Sequence, residues 1–211
     1  LSKNKDKYFS FIIEYVVCFD LKGEKWIRFE NKECNFGYRE SIFKHQEGNF
    51  IIWRVGFRLK KNFTPNIEYK DIKKAIENNN ITSLSPSIIA RLVKQIRKEK
   101  LPDYKVLGNV GSFFKNPIIS NKHYAELVKV YPNIVAFDEK ESKKISAAWL
   151  IEYCGYKGKR IGNVGMSSNQ ALIMVNYGGA NGEEVLFLAK EIQEKVKQNF
   201  DINLEIEANI I

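Results

Sequence analysis

Three cysteines and two histidines are the only thiol and imidazole ligands in a chain of 211 residues. Cys18, Cys34 and Cys154 are odd in number, far apart and without a C-x-x-C spacing. That argues against a disulfide framework and against a zinc site, and it fits a reducing, cytoplasmic setting. So few histidines also argue against a His-rich metal centre. No apolar run approaches the roughly twenty residues of a membrane span, so no membrane partner is expected. The longest candidate, residues 12–19, is broken by Glu14 and reads as a strand. There is no G-x-S-x-G elbow, and His45 and His123 have no special context, so a Ser-His-Asp hydrolase finds no support. No nucleic-acid-binding motif, internal repeat or low-complexity linker is present. A signal peptide is missing too. The chain opens on Leu1 with a Lys-rich stretch where a natural start would be Met, and a fragment is therefore expected.

What is present describes a folded protein. Hydrophobic residues make up 44% of the chain, enough for a sizeable core. The net charge of +9 has two readings, a nucleic-acid partner or an anionic, phosphate-bearing substrate. Lys and Arg are scattered along the whole chain with Asp and Glu between them, which favours the substrate reading together with compositional drift.

The pattern along the chain mixes strand and helix, so the fold class is α+β. Residues 11–19, 25–29 and 49–59 run apolar in short pieces, with Lys22-Gly23 as a turn, and predict an antiparallel meander. Residues 33–46 are too aromatic for a plain solvent loop. Ser85-Pro86 predicts a helix start, with Ile88, Ile89, Leu92, Val93 and Ile96 on one face and a stop at Leu101-Pro102. Helical patterns follow at about 121–130, 143–154 and 183–199, with a β run over 171–176. Asn181-Gly182 opens the last helix, and residues 204–211 predict a final strand. The stretches 63–65 and 101–104 are the expected seams between subdomains.

Three clusters could carry chemistry. In Gly108-Asn109-Val110-Gly111-Ser112-Phe113-Phe114-Lys115-Asn116-Pro117, small residues let a backbone approach a ligand, and a serine follows them. The two aromatics could wall a planar group. A Gly-rich turn feeding a buried Phe-Phe pair is the plainer account. A serine without a histidine base suits proton donation to a strongly basic carbanion. In Phe36-Gly37-Tyr38-Arg39-Glu40-Ser41-Ile42-Phe43-Lys44, Arg39 could clamp a carboxylate through its planar fork of donors, or simply pair with Glu40 or Glu33. In Leu204-Glu205-Ile206-Glu207 the two glutamates share one face of a strand, a pattern common on wet edges.

Together these strings resemble the UDP-N-acetylenolpyruvoylglucosamine reductase family, of the first class with the tyrosine loop, from about residue 11 onward. Ala147-Ala148-Trp149-Leu150-Ile151-Glu152, Gly155-Tyr156-Lys157-Gly158 and Asn169-Gln170-Ala171-Leu172 fall in the same register. The resemblance implies an enzyme of peptidoglycan synthesis with FAD and NADPH as cofactors. Its substrate would be UDP-N-acetylglucosamine enolpyruvate and its product UDP-N-acetylmuramate. The resemblance makes Ser112 the proton donor, with Arg39 and Glu207 stabilising an enolate-like intermediate. It assigns Tyr69, Lys100, Asn116, Lys144, Lys157 and Gln170 to the UDP-sugar. It implies a monomer, with residues 1–104 as part of a FAD-binding domain, 105–200 as the substrate domain and 201–211 as a return strand. Ser167 stands where family members often have His, and the Gly-Ser-Asn loop that holds the flavin phosphates has no counterpart in the chain. An inactive or regulatory UDP-sugar-binding fragment without flavin is therefore the alternative.

Overall fold

Ile13–Asp20 (β1) is the central strand of the first sixty residues because it has the most apolar surface to hide: Ile13, Val16 and Cys18 are all buried. It pairs antiparallel with Lys25–Glu30 (β2) on one edge and Phe50–Phe57 (β3) on the other. A meander would have put β2 in the middle; the observed order is β2-β1-β3. The segment between β2 and β3 accounts for the difference. It folds over one face of the sheet, burying Cys34 and packing Phe36 and Phe43 against Ile13, Val16 and Phe29. Its one short helix, Ile42–His45 (α1), brings Phe43 into edge-on contact with Phe29 and Phe50, at ring distances of 5.7 and 6.0 Å.

The coordinates are a computed structural model that describes residues 10–46 and 48–210. The Lys-rich opening stretch and Ile211 lie outside these. The chain divides into two compact units, Leu1–Thr64 and Pro65–Ile211. The second begins with two packed helices, Lys70–Asn78 (α2) and Pro86–Lys100 (α3). The Ser85 hydroxyl accepts from the Ile88 N–H at 3.3 Å, and Pro86 takes a first-turn position where no N–H is needed. Leu92 is buried on the apolar face of α3.

Beyond residue 105 strands and helices interleave, in keeping with the α+β class. Gly108–Ser112 (β4), Ile118–Ser120 (β5), Asn121–Val130 (α4), Ala136–Glu139 (β6) and Ser142–Ile145 (β7) come first. Ala147–Tyr153 (α5), Arg160–Ile161 (β8), Val164–Met166 (β9), Ile173–Asn176 (β10) and Gly182–Phe200 (α6) follow. They form two antiparallel sheets, ordered β4-β10-β9-β8 and β5-β7-β6. The helix expected over 143–154 begins as strand. Ile145 is fully buried in β7, and the helix starts only after Ser146, whose hydroxyl accepts from the Trp149 N–H at 3.3 Å. Ala147, Leu150 and Ile151 keep the helical spacing, whereas Ile145, two positions before Ala147, falls outside that face and belongs to the sheet.

Helix α6 forms one wall of the core. Leu188, Ala189, Ile192, Val196 and Phe200 share its buried face with Phe114, Leu150, Ile151 and Met166 packed in the same cluster. Its start is a reciprocal cap: Asn181 Oδ1 accepts from the Glu184 N–H at 2.9 Å, and Glu184 Oε2 accepts from the Asn181 N–H at 3.0 Å. Asn181→Ala should cost about 1 kcal/mol of stability, read as a lower urea midpoint at unchanged slope. The Tyr131 hydroxyl donates to the Asn199 carbonyl at 3.0 Å, satisfying an orphan acceptor at the other end. Among the described residues no helix is long and apolar enough to cross a membrane.

The final strand expected over 204–211 is reduced to a single bridge between Ile206 and Phe114. Ile202 and Leu204 are buried in the core of the second unit, while Ile210 is exposed. Apolar burial anchors the start of this segment, and a ladder of only one bridge does not continue it.

Candidate functional site

Ser112 ends β4 opposite Ile173 of β10. The residue before it, Gly111, has φ +79°, a left-handed conformation that a side chain would strain. Nothing lies within 4 Å of where a Cβ on Gly111 would stand, so the backbone beside the exposed Ser112 can be approached by a flat ligand. Phe113 and Phe114, by contrast, are 3% and 0% exposed and pack edge-on to each other at 5.2 Å. They are core residues, as the plainer account of the motif had it, and Phe114 offers no wall to a cofactor.

The same segment is held from two sides. The Phe113 N–H donates to the Leu172 carbonyl at 2.9 Å. The Glu207 N–H donates to the Phe113 carbonyl, and the Lys115 N–H to the Glu205 carbonyl, each at 2.8 Å. The backbone of Glu207 is therefore fixed to the residue that follows Ser112. Glu205 forms an ion pair with Lys115, whose ammonium stem is largely buried. That engages Glu205 in a structural contact within this segment.

From Leu172 the chain leads back through a tight turn to Gln170. The Ile173 N–H donates to the Gln170 carbonyl at 3.0 Å, and the Ser167 N–H donates to the Ile173 carbonyl at 2.8 Å. Ser167 itself is buried, with its hydroxyl accepting from the Asn169 N–H at 3.3 Å. Gln170 lines a cleft of about 340 Å³ together with Tyr69, Ile72, Val93, Ile96, Arg97, Lys100 and Leu101. Thus Tyr69, Lys100 and Gln170, far apart in sequence, meet at one cleft. Its aliphatic side chains give an apolar floor, and a phenol, an amide and two cations rim it. Such a lining suits a ligand with a flat body and an anionic group.

Arg97 is the residue that reading the sequence overlooked. It stands three positions before Lys100 on α3, and the helical spacing of Val93, Ile96, Arg97 and Lys100 marks the shared face. At the mouth of the cleft, Lys100 Nζ lies 2.6 Å from Asp71 Oδ2, and the Tyr69 hydroxyl hydrogen-bonds Asp71 as well. The bond to Lys100 holds the Asp71 carboxyl below its usual range, and the same bond raises Lys100. Burial, then the contact with Asp71, raises the Tyr69 phenol.

The other assigned residues lie elsewhere. Asn116 Oδ1 accepts from the Ala147 N–H at 2.9 Å, at the start of α5. Lys144 stands in β7 opposite Ile118 and Phe137, and the neighbouring Ile145 N–H donates to the Pro117 carbonyl at 2.8 Å. Asn116 and Lys144 therefore share the β5–β7 region. Lys157 Nζ is 2.8 Å from Glu152, and the next residue, Gly158, abuts Ser168 in the turn that carries Gln170. Neither Lys144 nor Lys157 lines the cleft of Tyr69. Arg39 belongs to the first unit. It is exposed, at φ +55°, in a turn closed by the Gly37 N–H donating to the Glu40 carbonyl at 2.9 Å. Of the two carboxylates offered to it by the sequence, Glu33 accepts from the Glu30 N–H at 2.7 Å and Glu40 lies 2.8 Å from His45.

Comparison with known proteins matches residues 102–211 to the family model described as UDP-N-acetylenolpyruvoylglucosamine reductase, C-terminal domain. A UDP-N-acetylenolpyruvoylglucosamine reductase of Polynucleobacter asymbioticus is 42% identical over 94% of this chain and 57% of its own length. One of Flavobacterium johnsoniae is 46% identical over 87% of this chain and 55% of its own length. The chain thus spans a little over half the length of these relatives. The crystal structure of UDP-N-acetylenolpyruvylglucosamine reductase from Thermus caldophilus shares the fold, with a TM-score of 0.56 at 23% identity, over 95% of this chain and 53% of that one.

Proposed function

Because this chain belongs to the UDP-N-acetylenolpyruvoylglucosamine reductase family, we propose that the protein it represents reduces UDP-N-acetylglucosamine enolpyruvate to UDP-N-acetylmuramate in peptidoglycan synthesis. NADPH and FAD are the cofactors of this reading, and the setting is cytoplasmic. Residues 1–104 contribute to the flavin-binding part and 105–200 to the UDP-sugar part, with 201–211 as a returning segment.

The observation that carries the reading is the backbone pairing around Ser112, where Glu207 is bonded to the adjacent Phe113 at 2.8 Å. The open space beside Gly111 fits the ring side of a flavin. A flavin held there would supply hydride to the methylene carbon of the enolpyruvyl group. Ser112 then donates a proton to the adjacent carbon, which needs a positioned hydroxyl and no histidine base. Arg39 and Glu207 act on the carboxylate that takes up charge as an enolate. Tyr69, Lys100 and Gln170 hold the UDP-sugar, with Asn116, Lys144 and Lys157 as further polar and cationic contacts. Lysines serve a diphosphate as point charges.

The test is made on the full-length protein. It should purify with the absorbance of bound flavin and oxidise NADPH only when UDP-N-acetylglucosamine enolpyruvate is added. A colourless protein that leaves NADPH untouched in the presence of substrate overturns the reading.

A further inference from the structure

Asp71 stands between two side chains of the cleft. It lies in the first turn of α2, two residues after Tyr69 at the N-cap of that helix, and Lys100 is the last residue of α3. One carboxylate thus ties the start of one helix to the end of the next, with Lys100 Nζ 2.6 Å from Asp71 Oδ2. The Tyr69 hydroxyl uses the same carboxylate, and the Lys100 ammonium lies 5.9 Å from the centre of the Tyr69 ring. The plainest role for an acid at this position is to complement the amino-terminal end of α2. A half-exposed Lys–Asp pair also adds little to stability by itself. Neither account explains why the carboxylate gathers the two donors that rim the cleft.

Long side chains lose rotamer freedom when a ligand orders them, and that loss weakens binding. A lysine has three donors, so Lys100 can keep Asp71 and still offer two to an anion. A carboxylate has acceptor sites enough for both Lys100 and Tyr69. From this geometry we propose that Asp71 is a positioning residue for the UDP-sugar, holding Tyr69 and Lys100 side by side before the diphosphate-bearing ligand arrives. The inference rests on the cleft of Tyr69, Lys100 and Gln170 being the UDP-sugar site.

The experiment is a double-mutant cycle on the full-length protein, with UDP as the probe and its affinity measured by titration calorimetry. Asp71→Ala should weaken UDP roughly 3- to 30-fold, the range for two side chains left to be ordered by the ligand. Asp71→Asn keeps an acceptor for both donors and should recover most of that loss. In a Lys100→Ala background, Asp71→Ala should weaken UDP by clearly less than in the wild type, leaving only the share that comes from freeing Tyr69, because Asp71 and Lys100 are coupled. KM for the sugar nucleotide should rise in Asp71→Ala with kcat nearly unchanged. Equal effects of Asp71→Ala in both backgrounds, or none while Lys100→Ala weakens UDP, overturn the role of Asp71 alone. If Lys100→Ala leaves UDP affinity untouched, the cleft is not the UDP site and the reading beneath the inference falls with it.

Discussion

In the full-length protein, Ser112→Ala should slow reoxidation of the reduced flavin by enolpyruvyl substrate by about 10²–10⁴-fold, the loss typical of a missing general acid. NADPH-dependent bleaching of the flavin should stay nearly intact, because no proton from Ser112 enters that half-reaction. The structure makes the substitution a mild one for the fold. Ser112 is exposed at the end of β4 and its backbone pairing with Ile173 does not depend on its side chain. Surface substitutions of this kind usually change stability by less than about 0.5 kcal/mol. Stopped-flow absorbance separates the two half-reactions. An equal fall in both would make Ser112 structural and remove it as the proton donor.

The second large effect is expected from the two glutamates near the end of the chain. Glu207→Gln should lower turnover by about 10²-fold or more, the scale seen when one group stabilising developing charge is removed. Glu205→Gln should leave turnover almost unchanged. Glu205 is committed to Lys115, and the backbone of Glu207 is bonded to the residue after Ser112. Gln keeps the size and shape of the Glu207 side chain and removes only its carboxyl group, so the substitution tests that group alone. Steady-state rates at saturating substrate decide the matter, with circular dichroism to check folding. Equal activity in the two variants would remove the distinction between them.

Much of this was legible in the residues themselves. The cap at Ser85-Pro86, the stop at Leu101-Pro102 and the helix start at Asn181 each rest on contacts within four residues, so local chemistry suffices to set them. The ordered strings around Arg39, Ser112 and Gln170 were likewise enough to point to the family that residues 102–211 match. Those strings say which residues belong together, without saying where each one stands.

Pairing over long separations was decided only by the tertiary structure. The strand that holds the centre of the first sheet is chosen by how much apolar surface it must hide, and β1 outcompetes β2 for that place once Cys34, Phe36 and Phe43 pack across the sheet. Ile145 falls within the stretch 143–154 expected to be helical yet enters a sheet, because burial between β5 and β6 outweighs a weak local preference. Lys115 selects Glu205 across 90 residues, and the cleft gathers Tyr69, Arg97, Lys100 and Gln170 from two helices and a turn. At Ser85, Leu101 and Asn181 the helix start or stop is written in neighbouring residues, so there the sequence by itself determined it. Which strand is central, which glutamate pairs with Lys115 and which cations line one cleft depend on burial shared among distant segments, and that exists only in the folded chain.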